Sequence, residues 1–163
     1  MRQKIFAILL VSILLSGCLG QDDNDIEFNG IEYRDPPDAP DFTLIDQNGQ
    51  DFTLSDLEGK VVVVAFVYTS CPDICLAISA NMAYAQDSLG EESDDVVFVS
   101  VTIDPARDTV EHLSDWTESR GYNWTHLTAE RPSTLMEVYS SWNVIVDDEH
   151  IAASTPPEGA MNR

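Results

Sequence analysis

Val61-Val62-Val63-Val64-Ala65-Phe66-Val67-Tyr68-Thr69-Ser70-Cys71-Pro72-Asp73-Ile74-Cys75 decides how the rest of the chain is read. Its first seven residues are uninterruptedly apolar and rich in β-branched Val, the pattern of a strand buried on both faces. Small polar residues close the run and helical spacing begins. Ile74, Ile78, Met82 and Ala85 fall on one stripe of a helix reaching Leu89, with Gly90 just past its end. Cys71 and Cys75 stand four residues apart at this junction, about one helical turn, so their sulfurs can approach each other. Pro72 suits a first-turn position, where its missing N–H removes no hydrogen bond.

Further along, Val96-Val97-Phe98-Val99-Ser100-Val101 reads as a second buried strand and Val110 to Ser119 as a second helix capped by Asp108 or Thr109. Trp124-Thr125-His126-Leu127 is a short strand, Ser133 to Trp142 a third helix capped by Ser133, and Asn143-Val144-Ile145-Val146 a final short strand. Upstream, Phe42-Thr43-Leu44-Ile45 and Phe52-Thr53-Leu54 flank an Asn48-Gly49 step, which predicts a β-hairpin. Alternation of strands and helices makes this an α/β fold with parallel strands and right-handed crossovers.

The N-terminus carries an address. Arg2 and Lys4 precede an apolar run from Ile5 to Leu15, too short to span a membrane comfortably but suited to a secretory signal. Leu15-Ser16-Gly17-Cys18 resembles a bacterial lipobox, in which the Cys18 thiol is lipidated and becomes the first mature residue. The expected organisation is a lipoprotein signal peptide at 1–17, an acidic, Pro-rich tether at 18–41 and a folded domain at 42–163. The domain is then exported and anchored to the outer face of the cell membrane. Of three cysteines, lipidation of Cys18 leaves Cys71 and Cys75 as a pair in an oxidising compartment.

Eight basic residues face 29 acidic ones, a formal charge of −21. Cleavage after Gly17 removes Arg2 and Lys4 and leaves 6 basic residues against 29 acidic, or −23. Phosphates are repelled by such a surface, which argues against nucleic acid as a partner. A solvated acidic surface suits a salty medium; steering of a cationic partner or metal ion is the other use of such charge.

The start of a helix carries partial positive charge, which stabilises thiolate and lowers its pKa. Thiolate is both a nucleophile and a soft ligand that prefers Cu(I), Zn or iron–sulfur clusters. Two sulfurs at this spacing can chelate one ion or form a reversible disulfide. The gap is one residue longer than the two-residue gap of thioredoxin-like reductases.

Thr69-Ser70-Cys71-Pro72-Asp73-Ile74-Cys75 resembles the copper motif of the Sco/SenC family of copper chaperones. Ser100-Val101-Thr102-Ile103-Asp104-Pro105-Ala106-Arg107-Asp108-Thr109 resembles that family's second signature, and Asp41-Phe42-Thr43-Leu44 with Leu57-Glu58-Gly59-Lys60 its opening hairpin. The resemblance spans roughly 41–146. It implies a thioredoxin-like fold, binding of Cu(I)/Cu(II) by Cys71 and Cys75, Asp104 in support near the Cys loop, and help in loading the copper site of cytochrome c oxidase. Leu76 departs from the family's second Pro. The family's Val-Asp-His-Ser/Thr segment, source of a third ligand, is absent. His112 is expected on the surface of the second helix, His126 in a structural role, and His150 lies downstream of the third helix without the motif. The closing strand pair and last helix of a thioredoxin-like fold have no counterpart after Val146, so a C-terminally truncated domain is expected. Besides the metallochaperone, which is a binding module, the same sulfurs suit a thiol–disulfide oxidoreductase acting on exported cysteine pairs. A thiol peroxidase fits less well, since no Arg is evident beside the Cys pair.

Overall fold

The computed structural model describes residues 30–146, and Cys18 and His150 lie outside them. Residues 30–37 belong to a unit separate from the domain and carry no helix or strand. The domain that follows has five strands, β1 (Thr43–Asp46), β2 (Asp51–Thr53), β3 (Val61–Val67), β4 (Val96–Thr102) and β5 (Thr125–Thr128). Its helices are α1 (Ile74–Ser88), α2 (Val110–Arg120) and α3 (Pro132–Ser141).

The strands form one sheet in the order β2-β1-β5-β4-β3. β3, β4 and β5 run parallel, with Val61 opposite Val96 and Val67 opposite Thr102, while β1 is antiparallel to both β2 and β5. The hairpin forms as its Asn-Gly step predicts. The Asp46 carboxylate accepts from the Asn48 and Gln50 amides, and Gly49 takes the positive φ of 76° that the turn requires. Pro40 and Asp41, placed in the tether by composition, are bonded into the domain. The Pro40 carbonyl accepts from the Trp142 indole, and Asp41 accepts from both the amide and the hydroxyl of Ser55.

Alternation along β4 sorts the core into two layers. Val99 and Val101 join Leu44, Leu127 and the α3 residues Leu135, Val138 and Tyr139 on one face. Phe98 points the other way, packing with Met82 of α1 and Trp124. On that same face Trp116 and Thr117 of α2 reach His126.

Five sequence expectations need correction. β3 is not buried on both faces: Val61 is 61% exposed and Val62 to Phe66 are half-buried, because no strand among the described residues pairs with its outer edge. In α1 the inward stripe is Cys75, Ser79 and Met82, while Ile74 is 63% exposed. Met82 and the half-buried Ile78 face the core as expected, and the departure lies at Ile74 and Ala85, which are exposed. Pro72 precedes the helix rather than sitting in its first turn, and α3 starts on Pro132 with no side-chain cap from Ser133. Residues 143–146 are not a strand. Asn143 takes a φ of 54° and the Val144 amide donates back to the Tyr139 carbonyl at 2.8 Å, a left-handed helix stop after which Val144 and Val146 pack on the core without pairing as a strand.

α2 follows its signals closely. The Thr109 hydroxyl caps it by accepting from the His112 amide, and Gly121, at a φ of 68°, ends it.

Candidate metal centre

The site begins where β3 stops. The Val67 carbonyl accepts from the Ile103 amide at 2.9 Å, which holds the ends of β3 and β4 together. The chain then turns, with the Cys71 amide donating to the Tyr68 carbonyl at 3.3 Å, and enters α1 at Ile74. Cys71 therefore stands just before the helix and Cys75 at its second residue. Both are buried free thiols, 6% and 7% exposed. Their proximity is direct: the Cys75 amide donates to Cys71 Sγ at 3.4 Å. Leu76, the departure from the family motif, uses its amide to donate to the Asp73 carbonyl at 3.1 Å, a bond a proline would lack.

The two sulfurs are electrostatically unequal. Burial acts to raise the pKa of Cys71, but hydrogen bonds from the Cys75 thiol, the Asp73 and Cys75 amides and the Tyr68 hydroxyl outweigh it and leave the pKa below that of an ordinary thiol. Burial pushes Cys75 up to about 11, and its hydrogen bond to Cys71 adds to the rise. The Tyr68 hydroxyl, donating to Cys71, is itself raised, with partial burial second in effect.

Behind the loop lies a polar cluster in which Asp104 stands near the Cys loop, as the family resemblance implies, and Asp108 beside it. Asp108, an alternative helix cap and part of the second signature by sequence, has a fully buried carboxylate. It accepts from the Thr69 amide at 3.1 Å, from the Thr69 hydroxyl, and from the Thr102 hydroxyl at 2.6 Å. Asp104, also fully buried, pairs with Arg107 and lies 3.5 Å from the Ser70 hydroxyl. The Tyr139 hydroxyl donates to the Thr102 carbonyl at 2.6 Å, tying α3 to the same strand end, and burial holds its pKa well above the usual phenol value. The signal was there in Arg107-Asp108-Thr109: one polar residue caps the helix, so the one before it is free to face inward.

The histidines part company. His112 is on the surface of α2, as expected, but its Nε2 lies 2.9 Å from the Thr69 hydroxyl. His126 is buried against Trp116, Tyr122 and Trp124, and burial lowers its pKa to about 4. Among the described residues no group of three or more His, Cys, Asp or Glu is arranged to hold a metal ion. The sulfur pair is thus the soft donor set that these residues offer.

Fold and site together define a class: a thioredoxin-like α/β domain with a dithiol at the end of a parallel strand. The chain belongs to the SCO1/SenC family, whose model matches residues 33–159. An SCO2-like protein of Rickettsia felis is 44% identical over 69 residues, which are 42% of this chain and 34% of that protein. The chain thus spans about a third of that curated relative's length. The copper-bound structure of Bradyrhizobium japonicum ScoI superimposes with a TM-score of 0.60 at 28% identity, covering 64% of this chain and 66% of that one. BsSco, described as having a disulfide switch and as a member of the Sco family of cytochrome c oxidase assembly proteins, superimposes with a TM-score of 0.57 at 30% identity over 67% and 66% of the two chains.

Proposed function

We propose that this protein is a copper-binding metallochaperone whose cargo, Cu(I), is held between Cys71 Sγ and Cys75 Sγ. The observation that carries this is the pair of adjacent, reduced, nearly buried sulfurs at the start of α1. Two thiolates form a donor set that selects a soft monovalent ion over hard ones. Cu(II) favours further nitrogen or oxygen donors, so the cuprous ion fits the described residues best. Loading removes the thiol protons, which makes uptake release acid. The copper-bound state of ScoI and the assembly role of BsSco's family support this reading. By the same kinship the acceptor is the copper-site subunit of cytochrome c oxidase. Anchoring through lipidated Cys18, on the outer face of the cell membrane, completes the proposal and follows from the lipobox.

A second reading is favoured by the inequality of the two thiols. A low-pKa Cys71 beside a high-pKa Cys75 suits disulfide exchange, with Cys71 attacking and Cys75 resolving.

The test is to reduce the full chain, add Cu(I) in the presence of a competing chelator, and measure retained copper. One Cu(I) per chain, lost in both Cys71→Ser and Cys75→Ser, is the expected result. Turnover of a disulfide substrate by a chain that retains no copper favours the second reading.

A further inference from the structure

We infer that Thr69 and Asp108 are positioning residues for the dithiol: together they form a brace that sets where Cys71 stands relative to Cys75. The inference rests on the dithiol reading above but on neither of its two chemistries alone.

Cys75 needs no brace, since it is carried by the first turn of α1. Cys71 is outside the helix, and its position depends on the short segment between the end of β3 and Pro72. Within that segment Thr69 is pinned twice by one carboxylate, through its amide and its hydroxyl, both to Asp108. Asp108 is in turn held by the hydroxyl of Thr102 at the end of β4. The proton positions can be assigned around this cluster. The Thr102 hydroxyl accepts from the Asp104 amide at 2.9 Å and gives its proton to Asp108. The Thr69 hydroxyl gives its one proton to Asp108, so toward His112 it accepts, and His112 Nε2 carries hydrogen. Both threonine hydroxyls thus direct their protons to Asp108.

Such a carboxylate is expensive to bury, and among the described residues no ion pair to a Lys or Arg reaches it; three hydrogen-bond donors do. A plain strand-to-helix turn can be closed by backbone bonds alone. What the carboxylate adds is a fixed anchor joining the Cys loop, β4 and the start of α2 at one point. Orienting groups one layer out from a metal's ligands affect affinity about 10- to 100-fold when removed.

The experiment compares Thr69→Val with Thr69→Ser in the full chain, with Asp108→Asn alongside. The primary readout is the equilibrium between the dithiol and glutathione disulfide. In it the two Cys thiols give up two electrons and two protons to form the Cys71–Cys75 disulfide, while glutathione disulfide is reduced to two glutathione thiols. A loosened Cys71 lowers the effective concentration of one thiol at the other. Thr69→Val is expected to shift this equilibrium about tenfold toward the dithiol, and to weaken Cu(I) retention by a similar factor. Thr69→Ser, which keeps the hydroxyl, stays within about twofold of the parent. Combining Thr69→Val with Asp108→Asn adds little, because both break the same brace. The inference is overturned if folded Thr69→Val matches the parent, or if Thr69→Ser shifts the equilibrium as far as Thr69→Val. A parent chain that fails to retain Cu(I) sinks the copper reading alone, since the glutathione equilibrium still reports on the brace.

Discussion

The amide of Cys75 donates to Cys71 Sγ at 3.4 Å, so the helix that carries one sulfur also stabilises negative charge on the other. With the hydrogen bonds from the Cys75 thiol, the Asp73 amide and the Tyr68 hydroxyl it makes Cys71 the more acidic thiol, while burial, first, and the hydrogen bond to Cys71 hold Cys75 protonated up to about 11.

Cys71 is therefore the faster thiol toward iodoacetamide near neutral pH, although both are equally buried. Mass spectrometry after brief alkylation is expected to find the label on Cys71 first. Tyr68→Phe removes a hydroxyl donor to its sulfur and slows that labelling about three- to tenfold, the kinetic counterpart of one hydrogen bond to a charged group on a half-buried donor. Equal labelling of both thiols contradicts the asymmetry.

His126 makes stability depend on pH in a direction that can be worked out. Its folded pKa, about 4, lies below the ordinary 6.5 because burial penalises the charged ring. Between those values the unfolded chain binds the proton and the folded chain does not, so folding loses stability as pH falls from about 6.5 to about 4. The gap corresponds to about 3 kcal/mol. His126→Phe keeps a ring to stack on Trp124 and Tyr122 but cannot protonate. In denaturant titrations the parent is expected to lose about that much stability relative to the variant as pH falls from about 6.5 to about 4; parallel curves contradict the assignment.

How far the sequence could be read follows from where local chemistry decides structure. The run from Val61 to Val67 is a strand with the bounds its composition predicts, and α2 starts at Val110 as expected, with Thr109, one of the two expected caps, capping it. Position along the chain was legible; facing was less so. Ile74 reads as the start of a buried stripe that holds at Ile78 and Met82, but it is itself exposed and the next residue, Cys75, is buried. Apolar spacing cannot detect that when the inward residues are Cys, Ser and Met. Val144 to Val146 have strand-like composition, yet Asn143 ends α3 in a left-handed turn and the segment finds no strand among the described residues. The dithiol was legible because its spacing and place carry the chemistry. The brace behind it was not, because Thr69, Thr102 and Asp108 meet only through the pairing of β3 with β4.

Trp124 bridges neighbouring strands, its indole donating to the Ser100 hydroxyl at 2.8 Å inside the core. Trp124→Phe preserves much of the apolar contact but leaves Ser100 without that donor. The expected loss is about 1–3 kcal/mol of unfolding free energy. Ser100→Ala in the Trp124→Phe background is expected to recover part of it by removing the stranded hydroxyl. Thermal or denaturant unfolding of the three variants checks the order.

Salt should strengthen the fold. With 29 acidic residues against 8 basic ones, and the ion pair among the described residues confined to Arg107 and Asp104, carboxylate repulsion is largely uncompensated within the chain. Raising KCl from about 0.01 M to about 1 M shortens the Debye length from about 30 Å to about 3 Å. The melting temperature is expected to rise by about 5 °C or more. A flat or falling dependence contradicts this account of the surface.

X-ray absorption at the copper edge of the Cu(I)-loaded full chain probes the metal's own surroundings. Two sulfur scatterers per copper at thiolate distance, gone when Cys71 and Cys75 are both serine, are what a cuprous ion clasped by this pair must give. A copper shell of nitrogen and oxygen alone, or a sulfur shell that survives the double substitution, contradicts it.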